Sequence, residues 1–254
     1  MVRFTSLGSG SQGNATLIES GDSLVLIDCG FSAKELERRM AVRGCRAEDI
    51  SAILLTHEHG DHACGVGVLS RKHQLPVWTT RGTELAVKDN RFHQTHYLST
   101  SQSIKMGNME ILPFAVPHDA REPCQFRFNE GNQSLGLLTD TGSITPHIID
   151  VLKGCDTLLL EFNYDPLMLS QGAYPPALQR RIDGTWGHLS NHQAMGFMQQ
   201  RDSTGLKRLI AMHISEKNNS VEKVDECLNA SAMPSDCDVI IADQTGGFDW
   251  MILE

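Results

Sequence analysis

A mixed α/β sandwich is the fold class this sequence predicts, on three observations. Short apolar, β-branched runs recur along all 254 residues; the earliest follow one another without intervening helices; the later ones alternate with helical patterns. That order suits packed mixed sheets flanked by helices better than a purely doubly wound sheet. Strands are expected at 2–7, 15–18 and 23–28, then a helix at 33–43 opened by the capping box Ser32-x-x-Glu35. A buried strand follows at 52–56, a helix at 83–88, and strands at 109–115, 125–128 and 134–139. The remainder alternates: helix 146–153, strand 157–161, helices 175–181 and 191–201, strand 208–212, helix 221–229, and strands 239–241 and 248–253. No Pro/Ser linker, low-complexity tract or long charge run interrupts this order, so residues 1–254 are expected to form one domain. The stretches 53–57 (Ile-Leu-Leu-Thr-His) and 136–140 (Gly-Leu-Leu-Thr-Asp) echo each other, each a buried strand ending in Thr and a metal-capable side chain. Two such halves would bring two strand ends to one site.

Composition narrows the function. With 22 Lys+Arg against 31 Asp+Glu the net charge is −9, which argues against a general nucleic-acid coat; a polyanion would need a local basic patch or bound cations. Seven cysteines, odd in number and never spaced C-x-x-C, read as reduced thiols rather than disulfides or a structural zinc site. No stretch approaches ~18 consecutive apolar residues and the amino terminus lacks a signal-like apolar run, so no membrane partner and a cytoplasmic location are expected.

Gly8-Ser9-Gly10-Ser11-Gln12-Gly13 satisfies G-x-G-x-x-G after a strand. A dinucleotide loop must open a helix whose amide dipoles meet the pyrophosphate, whereas residues 14–19 alternate like a strand, so no nucleotide cofactor is expected. The loop reads as a tight turn, either a plain hairpin or one whose Ser9, Ser11 and Asn14 could donate to an anion.

The chemistry concentrates in Thr56-His57-Glu58-His59-Gly60-Asp61-His62. Three imidazoles and a carboxylate crowded after an apolar strand would be costly to desolvate, and a divalent ion bound at about 2.0–2.2 Å would satisfy them. His57 and His59 can point one way while Asp61 and His62 turn toward a neighbouring position, an arrangement able to serve two ions about 3.5–4 Å apart. His118, Asp140 and His213 each lie at the carboxyl end of an expected strand, where ligand sites gather in α/β proteins. His73, His93, His96 and His147 lie in polar or helical context and read as surface groups.

This pattern resembles the metallo-β-lactamase superfamily, whose H-x-H-x-D-H motif is matched by His57 to His62. The resemblance implies an αβ/βα four-layer sandwich and a centre of two divalent ions, zinc or manganese, with iron an option. It places His57, His59 and His118 on the first ion and Asp61, His62 and His213 on the second, with Asp140 bridging and Asp28 supporting the ligands from behind. A carboxylate bridge points toward the phosphodiesterase and glyoxalase-like members. Further blocks, Leu7-Gly8-Ser9-Gly10-Ser11 with Gly13-Asn14, Glu161-Phe162-Asn163-Tyr164-Asp165, Gly187-His188-Leu189-Ser190-Asn191 and Met212-His213-Ile214-Ser215 with Asn218-Asn219, are similar to the YycJ/WalJ-type bacterial enzymes, related to RNase Z and associated with DNA exonuclease activity. That family more often has His where this chain has Tyr164, so no catalytic role is assigned there.

A hydroxide shared by two divalent ions suits phosphodiester hydrolysis, and the ions screen the phosphoryl charge. The expected function is therefore a metal-dependent phosphodiesterase with a nucleic-acid substrate, DNA being favoured by the resemblance alone. Asp61 and His188 are the candidate catalytic residues, His188 as donor to the phosphoryl or departing oxygen on a loop that Gly187 lets turn and Asn191 caps. Arg180, Arg181 and Lys207 could form a cationic rim, and no aromatic-rich stacking platform is evident. The same centre would also suit a small-molecule hydrolase acting on a thioester, lactone or cyclic phosphodiester; a non-enzymatic metal-dependent regulator is the third reading.

Overall fold

The computed structural model describes residues 1–201, 205–230 and 236–254. Strands β1 (Val2–Gly8), β2 (Ala15–Ser20), β3 (Ser23–Ile27), β4 (Ile50–Leu54), β5 (Pro76–Thr79) and β6 (Gln94–Tyr97) lie side by side in that order. A second sheet runs from β7 (Ile104–Met106) through β8 (Met109–Ala115), β9 (Cys124–Glu130), β10 (Gln133–Leu138), β11 (Thr157–Glu161) and β12 (Arg208–Met212) to β13 (Asp238–Ile241). The last strand, β14 (Phe248–Ile252), returns to the first sheet beside β1. Each sheet is half meander and half crossover. Pairing is antiparallel up to β3 in one and β10 in the other, and parallel beyond.

Alternation along the strands builds the layers. On β3, Val25 and Ile27 face the other sheet, where they join Phe4, Ile111, Phe126, Phe128, Leu135 and Ile210. Leu24 and Leu26 face the opposite way, onto α1 (Ala33–Val42) and α3 (Val66–His73) through Leu36, Met40, Val66 and Leu69. In the second sheet Leu159 of β11 joins the inter-sheet core, while Leu158 and Leu160 pack under α5 (Pro146–Leu152), α8 (Asn191–Gln200) and α9 (Val221–Asn229). Strands covered on both faces explain why these runs are continuously apolar. The result is the expected four-layer order of helices, sheet, sheet, helices. No described helix is long and apolar enough to cross a membrane.

Strands β8, β11 and β12 and helix α9 have the bounds the sequence predicts. Strands β5, β6 and β7 were not predicted, nor were α2 (Gly60–Ala63), α3 and α6 (Pro166–Gln171); the other helices are α4 (Arg81–Ala86) and α7 (Pro176–Ile182). The capping box at α1 forms by half: Ser32 Oγ accepts from Glu35 N, but the Glu35 carboxylate is held by Arg38 and Arg39. The sequence echo pairs the wrong strands. By connectivity, β3 corresponds to β10, so the counterpart of Asp140 is Asp28 rather than His57. No disulfide links any of the seven cysteines.

Candidate metal centre

The site lies where the carboxyl ends of the parallel strands of both sheets meet. Asp28 follows β3, Asp140 follows β10 and His213 follows β12, and all three adopt left-handed backbone, with φ of 60°, 51° and 53°. That conformation is costly for a residue with a side chain, and it turns the chain sharply off each strand. His57 and His59 follow β4, and Asp61 and His62 sit in the single turn of α2.

These residues converge. Ligand atoms of His57, His59 and His118 lie within 4.8 Å of one another, as do those of Asp61, His62 and His213, and those of His57, His62 and Asp140. His59 Nδ1 and His118 Nε2 are 3.2 Å apart. Two nitrogens at about 2.1 Å from a tetrahedral cation would be about 3.4 Å apart, so the spacing fits one ion.

Hydrogen bonds behind the imidazoles leave their other nitrogens facing inward. His62 Nδ1 donates to Asp28 Oδ2 at 2.7 Å, and His118 Nδ1 donates to the carbonyl of Gly187 at 2.9 Å. Thr56 Oγ1 donates to Asp28 Oδ2 and so accepts from His57 Nδ1 at 2.9 Å. His213 Nδ1 donates to Glu161 Oε1 at 3.1 Å. With these donors spent, His57 Nε2, His213 Nε2 and Asp140 Oδ2 are buried without hydrogen-bond partners, and His62 Nε2 faces Asp140 Oδ2 at 3.1 Å. Orphaned buried atoms of this kind are costly, and a cation among them removes the cost. The donor set therefore fits divalent ions, and the carboxylate, carbonyl and hydroxyl groups behind the imidazoles are the usual support of such ligands.

The charges agree. Burial holds His57 well below its ordinary value, the His62 charge adding to it, and burial lowers His118 as well. Burial also opposes the charge on His62 and His213, yet Asp140 and its neighbouring carboxylates outweigh it and raise both, His213 to about 10. Asp61 is brought down to about 2 because His62 and His213 outweigh its burial.

Beside Thr56, the sequence gives no sign of the role of Glu161. Glu161, fully buried at the end of β11, accepts from His188 Nδ1 (2.7 Å) and His213 Nδ1 through one oxygen, and from Thr141 N and Leu189 N through the other. Thus His188 joins the cluster through Glu161, with Asp140 3.7 Å away. Other expectations are corrected. Lys207 precedes β12 at the end opposite His213 and pairs with Asp156, so it cannot line this rim. Ser190, not Asn191, caps α8, in a reciprocal box with Gln193. Ser9 and Asn14 are buried and serve the fold: Ser9 Oγ accepts from His213 N at 2.8 Å, and the Asn14 side chain accepts from Gly10 N at 2.8 Å and donates through Nδ2 to Gly10 O at 3.0 Å. The glycine loop is a cradle for the metal-binding segments. His73 is half-buried, its ring nitrogens 2.8 Å from Glu37 and 3.5 Å from Glu48. Tyr164 is buried, its hydroxyl donating to Asp183.

A beta-lactamase superfamily domain model matches residues 24–214. The chain belongs to that superfamily. Over 225 residues it is 35% identical to exodeoxyribonuclease YycJ of Bacillus anthracis, spanning 87% of this chain and 85% of that one. Exodeoxyribonuclease WalJ of Streptococcus pneumoniae is 33% identical over 226 residues, 87% and 84% of the two chains. Membership of the YycJ/WalJ family within the superfamily follows. The metallo-beta-lactamase fold protein YhfI from Bacillus subtilis superposes with a TM-score of 0.74 at 20% identity, over 99% of this chain and 100% of that one. Human tRNase Z, short form, gives 0.68 at 16% identity over 99% of each. The superfamily fold and the His/Asp cluster make this chain a metal-dependent hydrolase.

Proposed function

We propose that this chain is a DNA exonuclease, hydrolysing phosphodiesters with two divalent ions, zinc or manganese. The observation that carries the reading is the set of inward-facing, partnerless atoms of His57, Asp140 and His213, whose burial a cation among them would offset. His57, His59 and His118 would hold one ion, Asp61, His62 and His213 the other, with Asp140 between them. Such ions acidify water and screen phosphoryl charge. The choice of DNA leans on the names of the relatives YycJ and WalJ.

The chain's own groups do the rest. Glu161 engages the His188 ring through Nδ1, which leaves Nε2 as the nitrogen to donate a proton to the departing oxygen. Asp28 and Thr56 hold His62 and His57 so that the ligands need no rearrangement. Metal-loaded protein should be incubated with end-labelled single- and double-stranded DNA and RNA, beside a chromogenic phosphodiester and a thioester. Release of nucleotides from DNA ends is expected; thioester turnover far above that on every polynucleotide would install the small-molecule reading instead.

A further inference from the structure

Trp186 is 61% exposed, yet the turn that carries it is fixed from several sides. Its carbonyl accepts from Asp119 N at 2.8 Å, and the carbonyl of Thr185 accepts from Ser143 Oγ at 3.1 Å. His188 N donates to Ile182 O at 2.9 Å, and Gly187 O accepts from the metal-site His118. Gly187 has no room for a side chain, since a Cβ would lie 2.2 Å from the carbonyl oxygens of Arg181 and Ile182. Close approach, rather than a left-handed turn, is thus what requires glycine there. An ordered backbone that leaves an indole in water forgoes a large apolar burial.

The surroundings indicate what covers it. Helix α7, just before the turn, buries none of its residues and carries Arg180 and Arg181 in its last turn. Arg181 pairs with Asp119, whose other oxygen lies 3.6 Å from His118 Nε2 and 3.9 Å from His59 Nε2. Through Asp119, the turn that carries the indole is thus tied to the Arg181 guanidinium and to the His59 and His118 imidazoles. A flat π-face beside cations and a hydrolytic centre matches a ligand that is aromatic at one end and anionic at the next.

We infer that Trp186 is a stacking platform for a nucleobase of a single-stranded substrate end, with Arg181 beside the adjoining phosphate. This rests on the nuclease reading above. One pinned indole would serve in place of the aromatic-rich platform that the sequence does not offer. Stacking is tolerant of base identity, which suits an enzyme working along an end.

The test compares wild type, Trp186→Ala and Trp186→Phe, each metal-loaded and checked for metal content. Phosphorothioate oligothymidylate should quench the intrinsic fluorescence of wild type but not of Trp186→Ala, in which Trp78 and Trp250 remain. On ordinary single-stranded DNA, Trp186→Ala should raise KM about tenfold or more with kcat within about twofold, and Trp186→Phe should restore most of the loss. An oligomer with abasic residues at its end should bind wild type and Trp186→Ala equally. Unchanged KM in Trp186→Ala, or an equal loss on the abasic oligomer, overturns the platform while DNA cleavage by wild type leaves the nuclease reading standing. Quenching that needs Trp186 without cleavage of any polynucleotide would keep the platform and remove the nuclease.

Discussion

Glu161 is where the chemistry of single residues is most exposed. Its two oxygens accept four donors, two imidazole and two backbone, so Glu161→Gln sets an amide NH₂ against N–H groups and leaves buried donors unpaired at about 1–3 kcal/mol each. Metal affinity at the His213 position should fall about 10–100-fold, read by competition with a chromogenic chelator; unchanged affinity would remove Glu161 from the support of that ligand. His188→Ala should behave differently, lowering kcat about 10²–10⁴-fold while two metals per chain remain. Loss of metal in that variant would make His188 a ligand, as its place beside Asp140, Glu161 and His213 allows. The histidine cluster was legible because its spacing is local. Glu161 and Thr56 were not, because their partners lie far away in sequence or depend on which nitrogen of a ring is engaged, and neither leaves a spacing.

Among elements, the strands that are continuously apolar were found almost to the residue, since burial on both faces leaves no alternative reading. Strand β6, Gln-Thr-His-Tyr, has no apolar alternation, β5 begins with Pro, and β7 is three residues long. Their strand character comes from pairing, which one sequence does not display. The glycine loop shows the same limit: its pattern is legible, but its service to β12 appears only in the fold. Ser9→Ala would leave the buried N–H of His213 without an acceptor. We expect a loss of about 1–3 kcal/mol, or a Tm lower by about 2–10 °C in thermal unfolding, larger in metal-free protein. A Tm equal to wild type would show that the cradle carries no strain.

At the scale of the molecule, two half-sheets of like connectivity deliver Asp28 and Asp140 to one buried site, and a polyanionic substrate of a chain with net charge −9 needs local cations to approach it. Because carboxylates raise His62 and His213 in metal-free protein, both hold protons near neutrality. Metal must displace them, so metal affinity should rise with pH from about 6.5 toward about 10, the value to which His213 is raised. Calorimetric titrations in buffers of differing ionisation enthalpy should detect proton release; none would contradict the charge balance. The most direct test joins metal and activity in one sample. Chelated protein receives measured equivalents of zinc or manganese, and nucleotide release from end-labelled single-stranded DNA is followed against bound metal by elemental analysis. Release should be absent without metal and rise to a plateau at two ions per chain; undiminished release from metal-free protein, or none at two ions per chain, would contradict it.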